Sequence, residues 1–321
     1  MKVERNQQDG TGRESTYTHI LRKGCNNLMK YKIGRYVFII LIAILITICN
    51  TASVTSTKNY AQRMTDLVSE ISHYAKDTNS NFEIVANGGY NLYIPKAKTK
   101  KKMLKSVDGV IIEYALTHKD KKTMQLALRE AIKYNKKALS IEYKSFKKKK
   151  GIVSYEAPYE LDKIPKFKNK KIYDVKNISD VKNFMVLLNT HKYKNKKKYL
   201  AALKNTDYDL IFIDLFYEDG KIIKPSDVRQ LKVKSNGGKR LVYSYLSVGE
   251  AEDYRYYWDK KWNKKKPKWI VKENKQWKGN YKVRYWNKEW QDILYGYLSR
   301  IVMAGFDGVY LDVIDAYEYF E

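Results

Sequence analysis

Short apolar runs alternate with amphipathic stretches along most of this chain, and this alternation limits the fold more than any other feature. Strands that are apolar throughout are typical of a parallel sheet buried on both faces. Eight strand candidates follow residue 56: Phe82–Val85, Gly109–Tyr114, Ala138–Tyr143, Asn183–Asn189, Tyr208–Asp214, Arg240–Val248, Val283–Trp286 and Val309–Val313. Eight strands separated mostly by helices predict an α/β fold, a (β/α)8 TIM barrel.

Helical stripes separate several of these strands. Residues 59–75 place apolar side chains on one face, and residues 290–302 form a second complete stripe. Asn287 is expected to cap the second helix, and Gly305 is expected to end it. Residues 144–182 are rich in Lys and Tyr without clear periodicity, so they are interpreted as a long basic connection.

Acidic residues concentrate at or just after the predicted strand ends. Chemistry in TIM barrels is carried out at the carboxyl ends of the strands, so these residues predict an acidic site there. Structural alternatives stay open for single members: Asp315 could cap a helix, and Glu142 could pair with a neighbouring Lys. The group consists of Glu113, Glu142, Asp214, Glu250, Glu252, Asp312 and Asp315.

The N-terminal region resembles an export signal. Val37–Ile48 is apolar but for Thr47 and follows several basic residues. Its 12 residues suit the core of a signal peptide and are short for a membrane span. Residues 1–56 are therefore expected to be an N-terminal extension plus a signal peptide or membrane anchor. Cleavage near Ala52, lipidation of Cys49 and membrane contact through residues 36–49 stay open, and each favours an extracellular, cell-surface or periplasmic location.

Composition narrows the chemistry. The only cysteines, Cys25 and Cys49, lie within residues 1–56, which excludes disulfides and thiolate catalysis from the predicted barrel. The four His lack a ligand-like spacing and no Gly-rich phosphate loop is present, so neither a metal nor a cofactor is expected. The net charge of +28 indicates a solvated Lys-rich surface or an anionic partner. The Lys runs lack interleaved aromatic residues, so no nucleic-acid partner is expected. The protein is expected to be a monomer.

Three stretches then point to one family. "YDLIFIDL", "LVYSYLSVGEAEDYRYYW" and "GFDGVYLDVIDAYEY" resemble the endo-α-1,4-polygalactosaminidase family, glycoside hydrolase family 114, from about residue 208 to 321. The resemblance implies a secreted TIM barrel that cleaves galactosamine-containing exopolysaccharide. In that family further strands follow "YLD…DAYEY". Here the stretches that resemble those strands lie near the front of the chain: "FEIVANGG", "VDGVIIEYAL" and "ALSIEY".

This arrangement predicts a circularly permuted barrel over residues 57–321, with strand order 6-7-8-1-2-3-4-5. Residues 57–143 resemble the family's C-terminal part and residues 183–321 its N-terminal part. The alternative is a rearranged, inactive family fragment. Two pairings test the permutation: Phe82–Val85 with Val309–Val313, and Ala138–Tyr143 with Asn183–Asn189. The absence of both would exclude it.

The resemblance also implies the site. Asp312 is expected to be the nucleophile or base and Glu113 the general acid of a two-carboxylate mechanism. The favoured function is an endo-acting glycoside hydrolase on a galactosamine-rich or other amino-sugar polysaccharide; the alternative is a non-catalytic glycan-binding barrel. Ala86 stands where the family has Gln. The sequence leaves the choice between retaining and inverting chemistry open. The expected substrate-binding residues are Asp214, Glu250, Glu252, Asp315, Asn87, Tyr245, Tyr254, Trp286 and Tyr317.

Overall fold

A computed structural model describes residues 59–217 and 220–321. The predictions for the N-terminal 56 residues lie outside this part of the chain. Among the described residues, no helix has both the length and the apolar character that crossing a membrane requires.

Eight parallel strands form one sheet, which confirms the predicted TIM barrel. Their order across the sheet is β4-β3-β2-β1-β11-β7-β6-β5. Three further strands form a separate antiparallel sheet in the order β8-β10-β9. The strands are β1 (Glu83–Asn87), β2 (Gly109–Glu113), β3 (Lys137–Glu142), β4 (Val153–Glu156), β5 (Phe184–Leu187), β6 (Leu210–Ile213), β7 (Leu241–Ser247), β8 (Glu250–Glu252), β9 (Ile270–Glu273), β10 (Asn280–Val283) and β11 (Gly308–Asp312).

The first and last of these barrel strands pair with each other. β1 and β11 run parallel in a register that places Glu83 opposite Gly308 and Ala86 opposite Leu311, so this predicted pairing is confirmed. The two strands at the ends of the order, β4 and β5, lie side by side: the ring centroids of Tyr155 and Phe184 are 5.5 Å apart. The seam of the barrel therefore lies inside the chain.

Two strand predictions are wrong. Val153–Glu156, within the stretch interpreted as a connection, is a barrel strand that pairs with β3, so β3 does not pair with β5 as expected. The predicted strand Val283–Trp286 contributes only Val283 to a strand, and that strand belongs to the antiparallel sheet. Counted from β5, the barrel strands therefore follow the chain order 5-6-7-8-1-2-3-4. The sequence misled because "VSYE" is half polar whereas "VRYW" is mostly apolar.

The helices cover the outside of the sheet. The side chain of Asn59 accepts a hydrogen bond from the backbone N–H of Gln62 at the start of α1. The predicted cap at Asn287 is confirmed, because its side chain accepts from the backbone N–H of Glu289. Both apolar stripes face the core. The helices are α1 (Tyr60–Thr78), α2 (Lys100–Ser106), α3 (Lys121–Lys133), α4 (Lys196–Lys204), α5 (Pro225–Leu231) and α6 (Lys288–Met303).

Candidate active site

Three adjacent strands each end in a polar residue. Asn87, Glu113 and Asp312 are the last residues of β1, β2 and β11, and β1 lies between the other two strands. The Asn87 Nδ2 atom donates to Glu113 Oε1 at 3.1 Å and to Asp312 Oδ1 at 2.8 Å. One amide thus holds two carboxyl groups, whose bonded oxygens lie at most about 6 Å apart. We refer to Glu113 and Asp312 as the acid pair; both remain partly exposed.

The backbone turns sharply after each of these strands. The residue that follows the strand has a left-handed backbone in all three cases: Gly88 at φ +84°, Tyr114 at φ +56° and Val313 at φ +59°. Glycine adopts this conformation freely, but a Tyr and a β-branched Val are strained in it. Such strain persists only where the surrounding structure imposes it, and it is often found at functional sites.

The two acids have different electrostatic environments. Burial raises the pKa of Glu113, and the nearby Asp312 carboxylate raises it further, whereas hydrogen bonds from Asn87 and Tyr143 oppose the shift. Burial also raises the pKa of Asp312, but three donors oppose this shift: Asn87, the following backbone N–H and the Tyr245 hydroxyl. Asp312 is therefore better arranged to hold a negative charge, and Glu113 to hold a proton.

A second group of acids at the same rim is paired with a cation. Arg255 contacts Asp214 at 2.7 Å and Glu252 at 2.6 Å, and all three side chains are buried. We call these three residues the arginine cluster. Asp214 and Glu252 were expected to bind substrate, and that role remains a prediction, but their charge is already paired within the protein. Arg255 was missed, although it stands three residues after Glu252 in the sequence.

Two other predicted acids, Asp315 and Glu250, form no salt bridge with a basic side chain among the described residues. Burial and the charges of Asp312 and Glu318 raise the pKa of Asp315 to about 7. Glu250 accepts hydrogen bonds from Asn274 at 2.9 Å and from the Tyr319 hydroxyl at 3.1 Å. Burial raises the pKa of Glu250 as well, but the nearby charge of Lys282 opposes this shift. Asp315 is partly exposed and can accept a cation from outside the protein, whereas Glu250 is buried.

The predicted aromatic contacts differ in how accessible they are. Tyr245 and Tyr317 are buried, and Trp286 packs against three aromatic neighbours. Tyr254 is 62% exposed, so its ring alone among these four is widely accessible. The Tyr245 hydroxyl donates a hydrogen bond to the Asp312 carboxylate, so this tyrosine already has a partner inside the protein.

Glu142 and its neighbour Tyr143 have distinct contacts. The carboxylate of Glu142 is fully buried and accepts from the backbone N–H of Leu116 at 2.9 Å and from the Thr117 hydroxyl at 2.6 Å. It therefore holds the segment that follows Glu113. Tyr143, which sequence reasoning missed, donates its hydroxyl to Glu113 Oε2 at 2.9 Å. The signal for it was its position directly after a strand end.

Two carboxyl groups at the carboxyl ends of barrel strands are the arrangement by which many TIM-barrel glycoside hydrolases work. Residues 177–321 match the model of glycoside-hydrolase family GH114, which confirms the family resemblance for that part of the chain. The matched part includes Asp312, whereas Asn87 and Glu113 precede it.

Known relatives also match in part. The chain is 41% identical over 154 residues to the uncharacterized protein MJ1477 of Methanocaldococcus jannaschii, covering 45% of this chain and 44% of the relative. It is 40% identical over 119 residues to an uncharacterized protein of Deinococcus radiodurans, covering 37% of each. The chain thus spans less than half the length of these relatives.

Two solved structures show local similarity. One is Aspergillus fumigatus Ega3 in complex with galactosamine, at 22% identity and a TM-score of 0.30, covering 42% of this chain and 45% of that one. The other is the glycoside hydrolase domain of PelA from Pseudomonas aeruginosa, at 18% identity and a TM-score of 0.31, covering 43% and 47%.

Proposed function

We propose that this protein is a glycoside hydrolase that cleaves within an amino-sugar polysaccharide. The observation that carries the proposal is the bridge from Asn87 to both members of the acid pair, at the carboxyl ends of barrel strands. Glycosidic cleavage requires two carboxyl groups on either side of the bond, with one of them protonated. Burial raises the pKa of both acids, and the nearby charge of Asp312 adds to the rise at Glu113, which supports Glu113 as the protonated member.

The separation of the two carboxyl groups favours a retaining mechanism. Retaining enzymes hold their carboxyl groups about 5–5.5 Å apart, and inverting enzymes about 6.5–9.5 Å apart. The bridging amide keeps the bonded oxygens of Glu113 and Asp312 within about 6 Å of each other. This spacing leaves little room for a water molecule between the Asp312 carboxylate and the sugar. An Asp312 oxygen would bond to the anomeric carbon while Glu113 gives its proton to the leaving oxygen. Water would then be deprotonated by Glu113, bond to the same carbon and release Asp312.

Asp315 supports an amino-sugar substrate. It forms no salt bridge within the described part of the chain, and its partly exposed carboxyl group could pair with the ammonium group of a sugar. The whole chain carries a net charge of +28, which repels a polycation at long range. Salt screens that repulsion beyond about 10 Å at 0.1 M ionic strength, so an acidic cleft can still bind such a polymer. An α-1,4-linked galactosamine-rich exopolysaccharide fits this charge and the family resemblance.

The proposed place of action is outside the cytoplasm, at the cell surface or beyond. This part of the proposal rests on the apolar run Val37–Ile48 and the basic residues before it, which lie outside the described part of the chain.

The decisive experiment incubates the full chain with an α-1,4-linked galactosamine-rich polymer and measures new reducing ends. We expect short oligosaccharides to appear, and their first-formed reducing ends to keep the α configuration in proton NMR. Inverted product would contradict the retaining mechanism alone. Binding of the polymer without any release, by both the wild type and Asp312→Asn, would favour the non-catalytic glycan-binding barrel.

A further inference from the structure

Three tyrosines lie together beside Glu113. Tyr114, Tyr143 and Tyr159 follow the strands β2, β3 and β4. The ring centroid of Tyr143 is 5.0 Å from that of Tyr114 and 5.7 Å from that of Tyr159. We call these residues the tyrosine triad. Tyr159 is 64% exposed, which makes it one of the most exposed large hydrophobic side chains among the described residues.

The triad is joined directly to the acid pair. The Tyr143 hydroxyl donates to Glu113 Oε2 at 2.9 Å, while Asn87 donates to the other oxygen of the same carboxyl group. Because the strands follow the order β11-β1-β2-β3-β4, the rim carries Asp312 first, then Glu113, and then the triad. The triad therefore lies on the side of Glu113 that faces away from Asp312.

This order gives the bound polymer a direction. The nucleophile must reach the anomeric carbon, and the general acid must reach the oxygen that leaves with the next sugar. Moving along the rim from Asp312 past Glu113 therefore leads from the sugar that is attacked to the sugar that departs. An exposed tyrosine ring suits the flat apolar face of a pyranose, and its hydroxyl can contact the sugar's polar edge.

We propose that the tyrosine triad is the binding subsite for the leaving-group sugar, on the reducing-end side of the bond that is cut. The inference rests on the proposed glycosidase function and adds the orientation of the substrate to it. Tyr159 presents the sugar-binding ring. Tyr143 supports that ring and positions the Glu113 carboxyl group against the leaving oxygen.

The first test compares two substrates of Tyr159→Ala. One is the galactosamine-rich polymer, whose cleavage fills the leaving-group subsite. The other is an oligomer of the same sugar with fluoride at its reducing end, which leaves without occupying that subsite. We expect kcat/KM for the polymer to fall about fivefold to tenfold and kcat/KM for the fluoride to stay unchanged.

The matched control is Tyr134→Ala. Tyr134 is an exposed tyrosine that caps the end of α3, just before β3 begins and thus at the opposite end of the barrel. Both substrates should be cut at the wild-type rate. Equal losses of Tyr159→Ala on the two substrates, or no loss on the polymer, would overturn the subsite while leaving the glycosidase function standing. A wild type that cuts neither substrate would overturn both.

The second test concerns Tyr143→Phe, which keeps the ring and removes the hydroxyl. The general acid must be protonated, and this hydroxyl stabilises its charged form, so its loss should move the high-pH limb of kcat/KM upward. Tyr93→Phe is the control, because the buried Tyr93 hydroxyl has no hydrogen-bond partner within residues 59–217 and 220–321. An unmoved limb in Tyr143→Phe would overturn the positioning role.

Discussion

The acid pair and the arginine cluster occupy the same rim of the barrel, and each contains two carboxyl groups. In the arginine cluster a buried cation pairs with both Asp214 and Glu252. In the acid pair a neutral amide joins Glu113 to Asp312. The comparison teaches that acids at strand ends do not by themselves define a catalytic centre. The partner differs in kind, since Arg255 supplies a positive charge to its two carboxyl groups whereas the neutral amide of Asn87 supplies only hydrogen bonds.

The largest expected effect breaks the acid pair. Asp312→Asn removes the proposed nucleophile while keeping the shape of the side chain, so turnover should fall by about 10³-fold or more. Reducing-end release by the full chain measures it, with circular dichroism to show an intact fold. Retention of full activity would remove Asp312 from the mechanism.

Breaking the arginine cluster should affect stability instead. Arg255→Met leaves two buried carboxylates without their cation, and such losses cost about 3–5 kcal/mol. Urea unfolding of the variant measures the change in the free energy of unfolding. Arg129→Met, which replaces an exposed arginine on α3, serves as control and should change it little. An Arg255→Met protein as stable as the wild type would show that the cluster is not a structural unit.

The bridging amide gives a smaller effect on rate and a distinct effect on pH. Asn87→Ala removes hydrogen bonds to two carboxyl groups, each worth about 1.5–3 kcal/mol when the acceptor is charged. We expect kcat/KM to fall about 10-fold to 100-fold. The high-pH limb should move upward, because the amide stabilises the charged form of Glu113. A downward movement of that limb in the pH–rate profile would contradict the role.

The last test sharpens the comparison at Asp315, an acid that has neither a cation nor the bridging amide. Its pKa in the folded protein, about 7, is raised above the ordinary value of 3.8. The folded state therefore binds the proton more tightly, and stability falls as the pH rises from about 4 to 7. Asp315→Asn should unfold at nearly the wild-type temperature at pH 4 and at a higher temperature at pH 8.

Calorimetry at the two pH values measures this difference, and Asp77→Asn, at an exposed aspartate of α1, should show none. The same Asp315→Asn variant should bind the galactosamine-rich polymer more weakly if this carboxylate pairs with an ammonium group. Stability that is gained equally at both pH values would argue against a raised pKa.

The sequence predicted the barrel and the acids at its strand ends for a local reason, whereas the choice of Glu113 and Asp312 among those acids came from the family resemblance. A buried parallel strand is a short apolar run, and the residue that ends it is visible in the sequence, as at Glu113 and Asp312. The prediction from apolar runs failed at β4, where two of four residues are polar. It also failed at Val283–Trp286, where an apolar run borders a different sheet. Membership of a sheet depends on neighbours that are far away in the chain.

What the sequence determined by itself is therefore the set of strands with continuous apolar character, the family resemblance and the presence of acids at the strand ends. Only the tertiary structure decided which strand completes the barrel, that Arg255 pairs with Asp214 and Glu252, and that Asn87 and Tyr143 contact Glu113. The physical reason is the range of the interactions. Apolar periodicity is written in adjacent residues, whereas the proton affinity of a carboxyl group depends on atoms that folding brings within about 3 Å of it.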